Sequence, residues 1–199
     1  MIFMSHHIPC ISFNNLASAS ELKLLDSACR EWGFFYLNNH GIESSLLQGL
    51  ETEMREFFQL SLGEKKKIER TRKNPWGYYD RELTKQTRDW KEILDIGLGK
   101  SSGPFINHRP QWPSHNNSFK PVAEATYRCF EEVAFALLDA CASNLGVPEQ
   151  ELRSAFTPEH TSYLRLNHYP SCAKPALPDG LSITEPGNLG IIFIQTLAL

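Results

Sequence analysis

The stretch from Pro121 to Leu145 constrains the fold more than any other part of the chain. Val122, Tyr127, Phe130, Val133, Leu137 and Leu138 fall near one helical stripe, Pro121 suits a first turn and Gly146 suits a stop. A helix of roughly seven turns needs apolar partners along its whole length. The sequence supplies them. Ser18 and Glu21 form a capping-box pattern ahead of a helix expected over 21–32, with Leu22, Leu25, Cys29 and Trp32 as its stripe and Gly33 as its end. A second helix is expected over 45–60, on Leu46, Leu47, Leu50, Met54, Phe57 and Phe58. Ser61 and Glu64 open a short third helix, and a further short helix is expected around 149–156. The third helix carries Lys65, Lys66 and Lys67 beside Glu64 and Glu69, which read as a solvated face.

Strands are expected between the helices. Ile8–Phe13 alternates, and the run Phe34–Asn39 (FFYLNN) reads as a strand buried on both faces for half its length. Lys91–Ile96 is strand-like, and SYLRLNHYP alternates up to Pro170. Gly, Pro, Ser and Asn make 99–120 an irregular connector, and 171–187 is a Pro-rich loop. The expectation is therefore a mixed α/β (α+β) chain without internal repeats.

Bulk composition excludes several classes of function. A formal net charge of -3 provides no field for nucleic acid or an anionic membrane. No apolar run approaches the length of a membrane span, and MIFMSHH lacks the basic flank and apolar stretch of a signal peptide. The five cysteines, Cys10, Cys29, Cys129, Cys141 and Cys172, form no CxxC pair. Reduced thiols in a cytoplasmic monomer are expected, with Cys29, Cys129 and Cys141 as small core residues.

Motifs that carry chemistry are absent. None of His6, His7, His40, His108, His115, His160 or His168 is followed two positions later by Asp or Glu, the strand spacing that puts an iron-binding pair on one side of a sheet. HExxH, a P-loop, GxGxxG and GxSxG are missing as well. The residues alone define an α/β domain and leave its activity unread.

The order of longer motifs is more informative. EWGFFYLNNHGI, FFQLSLGEKKK, GYYDREL with RDWKEILDIG, and YLRLNHYPSC follow one another from about Ile8 to Gly190. Together they resemble the 2-oxoglutarate/Fe(II) oxygenases of the isopenicillin N synthase type. That resemblance implies a helix-rich N-terminal domain over 8–120 and, over 121–199, the start of a double-stranded β-helix (jelly-roll) core, incomplete here. It implies Fe(II) and 2-oxoglutarate as cofactors, and O2-dependent oxidation of a small-molecule substrate. In the family, iron is held by His-x-Asp soon after Asn-x-Tyr-Pro and by a later His, and an Arg-x-Ser binds the keto acid.

Carried over by residue, Asn167 and Tyr169 match the Asn-x-Tyr pair that hydrogen-bonds the keto acid in several relatives, the other reading being a strand-end amide and a core tyrosine. Arg165 is a candidate for the same pocket or for a surface partner. His40 matches a structural His-Gly turn. His168 points to the opposite strand face from Asn167 and is not a ligand. Tyr79 and Trp90 are candidates for substrate contact or for core packing. The iron ligands are not in the chain, so no catalytic or metal residue is assigned and the chain is expected to be inactive. The alternatives are a catalytically dead fragment that binds or regulates, and an oxidase of the same family that does not use 2-oxoglutarate.

The final residues, PGNLGIIFIQTLAL, bear on that absence. Relatives of this type run from G-x-LGI into a His-x-His-Thr-Asp segment. When the codons from Ile191 onward are read one base out of phase, they permit His-Leu-His-Thr-Asp-Ala-Gly-Ala. The expectation is a shifted reading frame, and sequencing the DNA at the Ile191 codon checks it.

Overall fold

The computed structural model describes residues 7–84, 87–88, 91–98, 109–157, 160, 162–170 and 188–194. The chain divides into two compact units, one of residues 1–42 and 131–158, the other of 43–130 and 159–199.

In the first unit, β1 (Cys10–Ser12) pairs in parallel with β2 (Tyr36–Asn38), Ile11 opposite Leu37. A short 3-10 turn, Phe13–Asn15, leads into α1 (Ala19–Glu31). Ser18 caps α1, its hydroxyl accepting the Glu21 N–H at 3.3 Å. The Glu21 carboxylate accepts the N–H of Ser12 at 3.0 Å, tying the helix to the strand before it. Ile11, Leu16, Leu25, Ala28 and Ala140 form the core of this unit.

Two expectations fail in this unit. The second strand is only three residues long, and Phe34 and Tyr36 are exposed, so it is not buried on both faces. With one parallel partner, the outward Tyr36 side chain is left exposed. Cys29 is exposed rather than a core residue, because Ala28 takes the inward position of that turn. Cys141 is half-buried, and burial, reinforced by the neighbouring Cys29 thiol, pushes its thiol pKa up.

The long helix, α4, runs Phe119–Leu145, two residues earlier than the proline suggested, and ends at Gly146 with φ +69°. It is followed by α5 (Glu149–Arg153), whose Arg153 pairs with Asp139 of α4, and by a 3-10 turn, Ser154–Phe156.

In the second unit, α2 (Ser44–Gln59) and α3 (Leu62–Lys66) precede a four-stranded antiparallel sheet. Its strands are β3 (Gly77–Tyr79), β6 (Glu92–Gly97), β7 (Tyr163–Tyr169) and β8 (Asn188–Ile194), paired in that order. A separate two-residue ladder joins β4 (Leu83–Thr84) to β5 (Thr87–Arg88). The apolar stripe of α2 is Leu50, Met54, Phe57 and Phe58. It packs with Phe119, Ala123 and Tyr127 from the start of α4 onto Tyr78, Leu94, Ile96, Leu164 and Leu166 of the sheet. Each large side chain buried here contributes about 1.5–3 kcal/mol.

The final apolar run begins as a true strand, with Asn188 opposite Tyr169 and Ile194 opposite Tyr163. Trp90, Cys172, the loop 171–187 and Gln195–Leu199 lie outside the described residues.

Candidate functional site

Alternation along β7 sorts its side chains onto two faces. Leu164 and Leu166 enter the core against α2, so His168 lies on the same side. Tyr163, Arg165, Asn167 and Tyr169 therefore share the other face. The sheet register adds Ile93, Asp95 and Gly97 of β6 and Tyr79 of β3 to that face. The three residues assigned from the sequence, Arg165, Asn167 and Tyr169, are thus brought together on one side of one strand.

The face is closed and charged rather than open. Asn167 is 2% exposed and Asp95 3%. The Arg165 guanidinium donates to both Asp95 oxygens, at 2.8 and 2.9 Å, a bidentate bridge across the β6–β7 pair. Arg70 reaches the same carboxylate at 3.4 Å, approaches Glu82 at 3.8 Å and sits over the Tyr79 ring, its guanidinium carbon 3.5 Å from the centroid. The bond to Asp95 raises the pKa of Arg165, and burial raises that of Tyr163. Trp76 packs on Tyr163 and occupies the space a Cβ at Gly97 would need.

Asp95 was not evident from the sequence. It sits in an apolar strand, EILDIG, and only the cross-strand register reveals Arg165 as its partner. Replacing Asp95 by Asn removes the charge but keeps one acceptor. The expected cost is about 1–2 kcal/mol in urea unfolding, with Arg165 left underpaired.

On the core face, a second polar group was misread from the sequence. Lys65 is 6% exposed, not part of a solvated face. Its Nζ donates to Glu92 at 2.7 and 2.9 Å and to the Phe58 carbonyl at 3.1 Å. The Tyr78 hydroxyl donates to the same carboxylate at 2.7 Å, and His168 Nδ1 lies 3.1 Å from it. Phe58 stacks on the His168 ring. Burial is the largest single influence on Glu92 and acts to raise its pKa. The hydrogen bonds from His168, Lys65 and Tyr78, together with the Lys65 charge, outweigh it and hold the carboxyl at about 2. Burial, then the bond to Glu92, pushes the Tyr78 hydroxyl pKa far up. His168 lies on the core face with Glu92 and Phe58, the side its strand parity implies. His40 Nδ1 accepts the Ile42 N–H at 3.1 Å within its turn.

Two imidazoles and a carboxylate on one face are what a non-haem iron centre requires. Among the described residues of the Asn167 face there is no imidazole, and the Asp95 carboxylate is already engaged by two arginines. These residues do not fit an iron centre.

The helix-backed antiparallel sheet carries the Asn-x-Tyr-Pro strand on which the resemblance to the oxygenases rests. The chain belongs to the non-haem dioxygenase N-terminal family, described as "non-haem dioxygenase in morphine synthesis N-terminal", whose profile matches residues 8–115. Lateral Branching Oxidoreductase 1 of Arabidopsis thaliana is 31% identical over 201 residues, covering 97% of this chain and 54% of that protein. Oxoglutarate-dependent flavonoid 7-O-demethylase 1 of Ocimum basilicum is 33% identical over 177 residues, covering 87% and 46%. The solved structure of JOX2 in complex with 2OG, Fe and JA superposes with a TM-score of 0.71 at 25% identity, covering 84% of this chain and 49% of that one. A rice dioxygenase for auxin oxidation shares the fold at TM-score 0.59 and 15% identity, covering 83% and 52%. The chain spans about half the length of the curated relatives it matches. Among the described residues, no helix is long and apolar enough to cross a membrane.

Proposed function

We propose that this chain is the front part of a 2-oxoglutarate/Fe(II)-dependent dioxygenase that oxidises a small molecule with O2. In this reading residues 8–120 form the N-terminal domain and residues from 121 open the catalytic core. Asn167, Tyr169 and Arg165 line the keto-acid pocket. Asn167 and Tyr169 hydrogen-bond the cosubstrate, and Arg165, fixed by Asp95, shapes the wall. The observation that carries this is the parity of β7, which turns those three side chains away from the helix-packed core. The relatives that act with oxoglutarate, and the neighbour that holds 2OG and Fe, support it.

The test has two arms. With Fe(II), ascorbate and O2, the 199-residue chain should release no succinate from 2-oxoglutarate above a metal-only blank, because it has no His-x-Asp pair. In NMR titrations, 2-oxoglutarate should shift the Asn167 side-chain amide, and Asn167→Ala should abolish the response seen at Tyr169. Succinate release would overturn the assignment of an inactive chain. A titration with no change at Asn167 or Tyr169 would overturn the pocket, and would favour an oxidase without this cosubstrate or a protein that binds something else.

A further inference from the structure

The second unit holds a cluster of metal-ligating groups away from the β7 face. Glu53 and Glu56 lie one turn apart on α2, and His115 lies four positions before α4 begins. Donor atoms of these three residues all fall within 4.8 Å of one another. Glu53 is 7% exposed, which is unusual for a carboxylate on a helix. Its Oε1 accepts from the Ser118 hydroxyl and, at 3.3 Å, from Asn116 Nδ2. Its Oε2 is buried and has no hydrogen-bond partner. Asn116 Nδ2 also donates to Glu56 at 3.1 Å, so one neutral amide is shared between two carboxylates. Among the described residues, no Lys or Arg is ion-paired with either glutamate. Phe57 and Phe119 flank the His115 ring at centroid distances of 6.3 and 6.4 Å.

Two carboxylates this close, one with a buried oxygen lacking a donor, repel each other and carry an unpaid desolvation cost. A cation between them removes both penalties. We propose that Glu53, Glu56 and His115 bind a divalent transition metal of the Zn2+ type. Two carboxylates and one imidazole match the borderline preference of such ions. The imidazole disfavours Ca2+ and Mg2+, and the absence of sulfur disfavours Cu(I). Water completes the coordination. Asn116 and Ser118 act as the outer partners that orient the carboxylates. The ion fastens the segment before α4 onto α2, a structural role independent of the keto-acid pocket.

The test uses the metal-free 199-residue chain, titrated with Zn2+ by calorimetry and followed by thermal melting. About one Zn2+ per chain and a raised Tm are expected. Glu56→Gln and His115→Ala alter exposed side chains and leave the fold intact by circular dichroism, yet each should weaken binding roughly ten-fold or more. A His6→Ala/His7→Ala variant should leave binding unchanged. The proposal is overturned by the absence of binding, by binding that survives both Glu56→Gln and His115→Ala, or by binding lost with the N-terminal histidine pair.

Discussion

Replacing Lys65 with Met should lower the unfolding free energy of the second unit by about 3–5 kcal/mol, read by urea denaturation. The substitution removes the ammonium from Glu92 and the donor from the Phe58 carbonyl, and leaves a partly buried carboxylate held only by Tyr78 and His168. Most of that cost is the unpaired charge rather than the value of the pair. The double variant Lys65→Met/Glu92→Leu should therefore recover much of the loss. A single variant within 1 kcal/mol of the parent would show that the pair is hydrated and unimportant.

The same carboxylate gives a pH signature. The folded state holds Glu92 at about 2, below the unfolded value near 4.3. Its contribution is then fully present above the unfolded value and is lost as pH falls toward 2. Stability measured from pH 6 down to 2 should decline more steeply in the parent than in Glu92→Gln, which has no proton to take up there. Parallel curves would assign the acid transition to other carboxylates.

Gly77→Ala should cost about 3 kcal/mol or more, because two independent constraints meet at one residue. Gly77 has φ +128°, a backbone region that side chains rarely allow. An added Cβ would also press into the Ile68 carbonyl, which accepts the Tyr78 N–H at 2.8 Å. Neither can relax separately, since Arg70 N–H bonds the Tyr78 carbonyl at 2.9 Å on the same short span. The expected reading is a lower denaturation midpoint with Tyr79 and Arg70 displaced from the charged face. An unchanged midpoint would mean that this span rearranges freely.

Helices were the most legible part of the chain. Ser18 and Ser61 accept the N–H three residues on, as their capping patterns promise, and the α2 stripe enters the core almost unaltered. Parity along SYLRLNHYP placed Asn167 and Tyr169 together and His168 opposite them. Long-range pairing was not legible. Lys65 and Glu92 are 27 positions apart, and Asp95 and Arg165 are 70 apart. Glu53 looks like any exposed helical glutamate until Ser118 and Asn116 fold over it.

The local pattern by itself determined the helices and the strands β6 and β7, the faces of β7 and, through its ordered motifs, the family. These depend on spacing within one helix or strand, where neighbours in sequence are neighbours in space. The tertiary structure alone decided which charges are buried and what compensates them. A lysine in a charged run or an aspartate in an apolar strand acquires its environment only when distant segments close around it. The chemistry of this protein's polar groups is a property of that closure.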